Sequence, residues 1–177
     1  MMDKEKIANS LKENHIRFLD FVDALTQNQY EYSWNKKWTA SMHCDHILKS
    51  ITTLNKVLLI PKWILKLKFG TANRASKSYD EFVEKYLERL KSAKPTTKDF
   101  QPNNVLFSKK NALLNGINKA NEKLINQLNK LSENDLDNYI LPHPLMGKQT
   151  LREFFYFTMY HVSQHKNFII RDLNQFE

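Results

Sequence analysis

Hydrophobic residues recur at steps of three and four over most of this chain, the spacing that places them on one face of an α-helix. Four long stretches carry the pattern. They predict helices over residues 4–27, from near Trp38 towards Pro61, from Ser108 to about Leu131, and from Thr150 to about Leu173. Pro61 is expected to break or kink the second helix, because proline lacks an amide donor and clashes with the preceding turn.

Polar residues mark where several of these helices begin. Thr39 and Ser108 are suitable N-caps for the second and third long helices, since a side-chain oxygen there accepts from a free backbone amide. Two further positions match the capping box, in which a hydroxyl residue is followed three positions later by Glu: Ser78 with Glu81, and Thr150 with Glu153. The first predicts a shorter helix, and the second opens the last long helix.

The stretches between these helices are polar or basic. Residues 28–35, 95–104 and 141–147 are predicted loops, and residues 61–78 form a basic, partly apolar excursion. No strand is predicted, and only 3 Gly and 5 Pro among 177 residues argue against a turn-rich β-fold. The expected fold is therefore all-α, with residues 1–177 in a single domain built as a helical bundle with short extra helices.

The net charge of +8 is spread unevenly along the chain. No Asp or Glu occurs between His46 and Tyr79, whereas seven basic residues do. Such a local positive field can attract nucleic acid, anionic lipid or an acidic small molecule, although a solvated face is the commoner explanation. No paired-cysteine finger, aromatic RNP strand or glycine-rich loop accompanies it, so nucleic acid is not expected as a partner.

No stretch of the sequence is suited to crossing a membrane, and a membrane is not expected as a partner. The most apolar segment, residues 57–69, is interrupted by Pro61 and three lysines and is shorter than the roughly 20 residues that a span requires. The first residues are charged and lack the apolar core of a secretory signal. The single cysteine, Cys44, excludes an internal disulfide and favours a reducing compartment, so we expect a cytoplasmic protein.

Six histidines are the main candidates for chemistry, and two of them form a pair. His161 and His165 lie four residues apart on the last predicted helix, so their rings project from one face, one turn apart. Phe154, Thr158 and Phe168 share this face, which indicates that it points into the bundle. Two imidazoles in this relation can ligate one metal ion, although H-x-x-x-H alone is equally compatible with two ordinary buried histidines.

Three known kinds of metal site do not fit the sequence. A zincin protease needs Glu directly after the first histidine of the pair, and this position is Val162. Di-iron bundles need Glu three residues before a histidine, and none of the six histidines has one. A structural zinc finger needs cysteines that the chain lacks.

A third ligand must come from another part of the chain. His46, on the predicted inward face of the second helix, is the first candidate, and His43, three residues earlier, is the alternative on a nearby face. His15 lies on an apolar stripe and is expected to be a hydrogen-bonded core residue or a residue that contacts a metal ligand without binding the metal itself. His143 lies between two prolines, where both a turn residue and a residue at a pocket rim are possible.

Several of these segments resemble the DinB/YfiT-like superfamily. Trp38-Thr39, with His46 eight residues beyond the tryptophan, is similar to that superfamily's opening of helix two. The stretch LPHPLMGK at 141–148, followed by TLRE at 150–153, resembles a PHPLLGK…TLRE stretch, and YHVSQH at 160–165 resembles the terminal H-x-x-x-H. The ordered set of motifs extends over nearly the whole chain.

The resemblance implies an up-down-down-up four-helix bundle that often forms homodimers. It also implies a divalent metal ion held by His46, His161 and His165, for which Zn, Ni and Fe are suitable with imidazole ligands. Characterised members include S-transferases that use low-molecular-weight thiols such as bacillithiol, mycothiol or glutathione, and others are described only as metal-dependent hydrolases. A small-molecule substrate, with such a thiol as partner, is therefore expected.

Two hypotheses on function follow. In the first, three neutral imidazoles leave an ion's charge uncompensated and its shell open, so that the site activates water or a thiol. Asp45, Tyr160 and His143 are then candidates for the proton-transferring group, while Cys44 is expected to face away. In the second, the ion only pins two helices together, and the basic segment 61–77 binds a partner.

Overall fold

The computed structural model describes residues 1–92 and 97–176, and over this part of the chain the predicted all-α class is confirmed. Eight α-helices lie within these ranges: α1 (Lys4–Asp23), α2 (Gln27–Glu31), α3 (Ala40–Val57), α4 (Lys62–Phe69), α5 (Tyr79–Leu90), α6 (Lys110–Asn129), α7 (Glu133–Asn138) and α8 (Leu151–Leu173). Short 3₁₀ turns occur at Trp34–Lys36, Lys98–Phe100 and Phe107–Lys109. No helix in these ranges has the length and apolarity that crossing a bilayer requires. The first two residues of the predicted loop 95–104 lie outside the described residues.

The two helices that carry the candidate ligands begin where the sequence predicts. Thr39 caps α3 by accepting a hydrogen bond from the amide of Met42 at 3.2 Å. The capping box of Thr150 with Glu153 forms at the start of α8, and the box that begins at Ser78 likewise opens α5. Each cap gives a free backbone amide a partner, which fixes the residue at which the helix starts.

Two other predicted helices differ from the structure. The helix expected over residues 4–27 is divided in two, because Thr26 and Gln29 form a capping box that starts α2. The prediction that Ser108 caps the third long helix is wrong. Ser108 lies inside a 3₁₀ turn, and α6 begins after Lys109 without a side-chain cap.

Pro61 separates two helices, as its position predicts. α3 ends at Val57, and the carbonyl of Pro61 then accepts hydrogen bonds from the amides of Ile64 and Leu65 in α4. Proline is tolerated at a helix start, because the first turn does not need its amide. The basic excursion therefore contains an eight-residue helix that the sequence analysis did not predict.

A β-hairpin contradicts the prediction that residues 141–147 form a loop without strands. β1 (Ile140–His143) pairs antiparallel with β2 (Gly147–Thr150). Gly147, opposite His143, has a φ of 70°, a conformation that glycine adopts at low cost. The strands were missed because four residues are too few to show the alternation of apolar and polar positions that identifies a strand.

The long helices pack on one another in pairs. α1 and α3 each contact both α6 and α8, and α5 lies against α8. The side chains between the elements form an apolar cluster, whose largest fully buried members include Tyr30, Tyr156, Phe18, Phe82 and Phe155. Removing such side chains from water is the main favourable contribution to folding. Because α3 and α8 share this core, their histidine-bearing faces are brought together.

A buried carboxylate fastens the chain before α5 to the start of α8. Glu153 is fully buried and accepts two hydrogen bonds from the guanidinium of Arg74, at 2.7 and 2.8 Å, and one from the ammonium of Lys77 at 3.0 Å. It also accepts from the amides of Lys77 and Thr150. Burial alone raises a carboxyl pKa, but these partners lower the pKa of Glu153 to about 2, so it is ionised at neutral pH.

Replacing Glu153 by Gln should lower the free energy of unfolding by about 2–4 kcal/mol at neutral pH, because the cations around it lose their counter-charge. Urea denaturation measures this change. Glu84→Gln, an exposed residue of α5, is the matched control and should change stability by less than about 0.5 kcal/mol.

The stabilisation by Glu153 should depend on pH. Because the pKa of Glu153 is depressed on folding, its stabilisation is present above the unfolded pKa of about 4.3 and is lost as the pH falls towards 2. The stability difference between wild type and Glu153→Gln should therefore shrink over this range. A difference that stays constant would show that the charge is not the source of the effect.

Candidate metal centre

Three histidine side chains from two helices converge on one point. His46 lies in the second turn of α3, and His161 and His165 lie one turn apart on α8. The Nε2 atom of His161 is 3.2 Å from Nε2 of His46 and 2.9 Å from Nε2 of His165. One ring nitrogen from each residue lies within 4.8 Å of the other two. The three residues can therefore hold a metal ion between them.

The spacing of these nitrogens suits one small cation. Zn–N bonds of ~2.0–2.1 Å in a tetrahedral arrangement place ligand nitrogens about 3.3 Å apart. The separations of His161 from its two neighbours are close to this value. Without a cation, Nε2 of His161 can donate its proton to only one of the two nitrogens that approach it. A divalent ion would engage all three lone pairs at once, so the residues present fit such an ion.

A backbone carbonyl fixes the orientation of His46. Its Nδ1 atom lies 2.7 Å from the carbonyl oxygen of Phe100, which can only accept, so Nδ1 carries the proton. In a neutral ring this leaves the lone pair on Nε2, the atom that faces His161. Metal-binding histidines commonly donate their second ring N–H to a carbonyl in this way.

His43, the alternative third ligand, occupies a different position. Its Nδ1 atom lies 2.6 Å from Nδ1 of His165, which is the ring nitrogen that does not face His161. For His165 to offer a lone pair at Nε2, its Nδ1 must carry the proton and donate to His43. Burial lowers the pKa of His43 to about 3, which keeps this ring neutral and able to accept.

The three candidate ligands are neutral and enclosed by aromatic rings. Burial lowers the pKa of His46 and lowers the pKa values of His161 and His165 well below the ordinary range, so each ring retains a lone pair at neutral pH. The indole of Trp38 stacks on His165 at 6.1 Å between centroids, and Phe157 stacks on His161 at 4.4 Å. These rings limit the access of water and strengthen electrostatic interactions within the site.

The cluster opens into a cavity of about 410 Å³, within the usual range for small-molecule sites. The three histidines and Trp38 form part of its wall. Exposed residues, among them Lys36 and Arg171, also line it, so the cavity connects the buried ring nitrogens with solvent. A small molecule that enters this cavity reaches the candidate ligands.

The cavity lining carries an excess of positive charge. Among the described residues of the lining, Lys36, Lys37 and Arg171 face a single carboxylate, Asp172, which pairs with Lys37 at 3.6 Å and with Arg171 at 2.8 Å. Within the described part of the chain, Lys36 has no ion-pair partner, and it follows Asn35 in a left-handed backbone, with φ values of 60° and 50°. Two consecutive non-glycine residues in this region are strained, as is common near functional sites.

Two neutral polar groups complete the wall. The hydroxyl of Tyr86 donates to Oε1 of Gln164 at 3.0 Å, and burial raises the pKa of Tyr86, so this donor stays protonated. The bond engages the carbonyl oxygen of the Gln164 amide, and the residue lines the cavity.

Two of the residues considered for proton transfer lie outside the cavity wall. Asp45 accepts from the amide of Asn103 at 2.7 Å and pairs with Lys49 at 2.8 Å, so it fastens a loop to α3. Tyr160 packs its ring against Tyr86, with 5.9 Å between centroids. Neither side chain is among those that line the cavity.

His143 is a turn residue. Its Nδ1 atom accepts hydrogen bonds from the amides of Leu145 and Met146, at 3.1 and 3.2 Å, which closes the hairpin. Its ring packs against Phe157, 4.4 Å between centroids, and Phe157 in turn stacks on His161. Of the two roles that the sequence left open for His143, the structure therefore favours the turn residue.

Cys44 and His15 belong to the core. Cys44 is a free, fully buried thiol that does not line the cavity, and burial raises its pKa, so it is not a nucleophile. His15 hydrogen-bonds through Nδ1 to the carbonyl of Leu11 at 2.7 Å, and burial lowers its pKa to about 4. It is a buried, hydrogen-bonded histidine, as the sequence led us to expect.

Sequence reasoning missed several cavity residues. Gln164 and Asp172 follow His161 at steps of three and eleven, so helical periodicity would have placed them on the same face of α8 as Phe168, which the sequence did assign to it. Lys36, which lines the cavity, and Phe100, whose carbonyl accepts from His46, lie in 3₁₀ turns outside the helices, and their positions depend on the tertiary fold. No local pattern identifies them.

Comparison with known proteins does not identify a family. No protein-family model matches the chain, and no curated protein sequence matches it. The candidate site is therefore defined by the positions of its own residues.

Replacing His43 by Ala should weaken Zn²⁺ binding about 10- to 100-fold, because Nδ1 of His165 loses the acceptor that keeps the lone pair on Nε2. Competition titration against a chromophoric chelator measures the affinity. Ser50→Ala, on the same helix, is the control and should bind as the wild type does. If His43→Ala retains both full affinity and the helical circular dichroism signal, the positioning role of His43 is contradicted.

Proposed function

We propose that this protein is a divalent-metal-dependent enzyme of the DinB/YfiT-like type, acting on a small molecule as a thiol S-transferase or a hydrolase. The proposal is carried by the convergence of three buried, neutral histidines at a cavity that reaches solvent. Structural zinc sites are closed by four protein ligands, whereas catalytic sites keep one position open for water or substrate. Three protein ligands beside a cavity match the second arrangement.

The remaining parts of the proposal extend the resemblance seen in the sequence. The pairwise packing of α1, α3, α6 and α8 supports a four-helix bundle, for which the resemblance implies the up-down-down-up order and assembly as a homodimer. A single free cysteine, buried in the core, supports a reducing and hence cytoplasmic location.

Each part of the cavity would contribute differently to the reaction. His46, His161 and His165 would hold the ion, which when bound lowers the pKa of a water or thiol that enters the cavity. The ammonium and guanidinium groups at Lys36 and Arg171 would attract an anionic reactant and stabilise its charge. The oriented amide of Gln164 would donate a hydrogen bond that positions the reactant.

Both water and a thiol are compatible reactants, and the charge of the cavity supports the thiol. Neighbouring cations stabilise the thiolate relative to the thiol. A thiolate held among Lys36, Lys37 and Arg171 could attack an electrophilic carbon, forming a C–S bond as the leaving group departs with its electron pair. Hydrolysis uses water in place of the thiol, with the proton of the attacking water passing to solvent in the cavity as the leaving group departs.

A second candidate is a non-catalytic module in which the ion pins α3 to α8 and the basic segment 61–77 binds a partner. The origin of the three histidines in two separate helices favours this alternative, because one ion would then cross-link distant parts of the chain. Removal of the metal distinguishes the two candidates. An enzyme whose helices pack on an extensive core keeps its fold, whereas a module that depends on the ion unfolds.

Purified protein loaded with metal should contain about one divalent ion per chain by plasma mass spectrometry. His46→Ala and His165→Ala should lose the ion and retain helical circular dichroism, because the core does not depend on these rings. His143→Ala, which removes a turn histidine, should retain it. Unfolding on chelation would favour the structural module, and absence of bound metal in the loaded wild type would contradict both candidates.

The metal-loaded protein should consume a low-molecular-weight thiol in a panel that pairs electrophiles with bacillithiol, mycothiol or glutathione. His165→Ala should reduce this activity by at least about 100-fold, whereas Ser50→Ala should not change it. Turnover of ester or amide substrates without any thiol would identify a hydrolase instead. A folded, metal-loaded protein without turnover in either panel would contradict the enzymatic proposal.

A further inference from the structure

The short helix α4 presents large apolar side chains to solvent. Trp63 and Leu67, four residues apart on this helix, are 68% and 80% exposed, and Leu59, in the turn before it, is 63% exposed. The opposite face of α4 carries the buried Leu65 and lies against β1. Apolar side chains that are exposed together, unlike isolated ones, mark interaction surfaces.

Lysines flank these side chains. Lys66 and Lys68 lie on either side of Leu67, and Lys56 lies in the last turn of α3. Neither Lys56 nor Lys66 has an acidic partner in residues 1–92 and 97–176. We call this set the α4 surface: Lys56, Leu59, Trp63, Lys66, Leu67 and Lys68.

Positive charge is in excess around the α4 surface. The ammonium of Lys148 in β2 donates to the carbonyl of Phe69 at 3.2 Å, which adds a cation at the end of α4. The one acidic group paired with α4 in the described ranges is Asp135, and Lys62 neutralises it at 2.6 Å. An anionic partner therefore complements this surface.

We infer that the α4 surface docks on an anionic lipid membrane, with α4 lying in the interface and not spanning it. Helices that bind in this way carry lysine on their polar face. Their other face, with Trp and Leu, enters the boundary between headgroups and acyl chains. Trp63 suits the headgroup level, Leu59 and Leu67 suit the acyl region, and the lysines contact acidic headgroups. This inference concerns a surface separate from the histidine cluster and does not depend on the proposed enzymatic function.

Two other occupants fit the α4 surface less well. A second copy of the chain in a two-fold contact would bring the same lysines against one another, and three apolar side chains cannot supply the roughly 800 Å² per partner of a stable dimer. A single-stranded nucleic acid could stack a base on Trp63, but Leu59 and Leu67 offer it no aromatic surface. Lipid acyl chains accept all three apolar side chains.

Co-sedimentation with vesicles tests the inference on the full chain. The protein should bind vesicles of phosphatidylcholine with about 30% phosphatidylserine more tightly than pure phosphatidylcholine, and less tightly as salt is raised. Trp63→Ser with Leu67→Ser should lower the partition coefficient at least about tenfold, since two apolar side chains no longer leave water. Lys66→Gln with Lys68→Gln should lower it by a similar factor, because each lysine contributes roughly fivefold.

Matched variants on other surfaces provide the controls. Leu106→Ser removes an exposed leucine, 63% accessible, from another surface, and Lys119→Gln with Lys123→Gln removes two lysine charges from α6. Both controls should bind vesicles as the wild type does. All variants should keep the wild-type circular dichroism, since the replaced residues are exposed.

Three results would overturn the inference. The first is vesicle binding that does not depend on the α4 surface, seen as no preference for acidic vesicles or as equal loss of binding in the control variants. The second is dissociation of a dimer by Trp63→Ser with Leu67→Ser, seen by light scattering without vesicle binding, which would assign the surface to a contact between copies. The third is binding of a single-stranded oligonucleotide through Trp63 in the absence of vesicle binding.

Discussion

The hydrogen bonds at Nδ1 of His46 and at Nδ1 of His165 decide whether this site can hold a metal ion. An imidazole offers either a proton or a lone pair at a given nitrogen, and the partner of the other nitrogen makes the choice. The carbonyl of Phe100 forces the proton of His46 onto Nδ1, and His43 is placed to accept the proton of His165. Both choices direct lone pairs towards the point shared with His161. Nε2 of His161 can donate a proton to only one of these two lone pairs, whereas a cation would engage all three nitrogens at once.

This constraint links an irregular loop to the chemistry of the helices. Phe100 ends a 3₁₀ turn, and two side chains of α3 hold the backbone of the loop that follows. Lys49 donates to the carbonyl of Gln101 at 2.7 Å, and Asp45 accepts from the amide of Asn103 at 2.7 Å. Asp45, considered at first as a proton-transfer group, instead holds the segment that sets the tautomer of His46. Hydrogen bonds of this kind fix ligands more tightly than the helix alone does.

The sequence allowed the helical scaffold and the pair His161 and His165 to be predicted because both depend on local rules. Helical periodicity and the caps at Thr39 and Thr150 fix α3 and α8, and the spacing of His161 and His165 fixes their common face. The hydrogen-bond partners of the ligands were not predictable in this way. Phe100 contributes only a backbone carbonyl, and the choice between His43 and His46 depends on how α3 is rotated against α8. The hairpin was missed because tertiary packing, not residue alternation, holds its short strands.

Crystals grown with Zn²⁺ and measured on both sides of the zinc absorption edge test the central claim most directly. The predicted result is one anomalous peak per chain, ~2.0–2.1 Å from Nε2 of His46, His161 and His165, with the Nδ1 contacts to Phe100 and His43 retained. A peak bound through Nδ1 of His43, or three histidines hydrogen-bonded to one another in the presence of excess zinc, would contradict it.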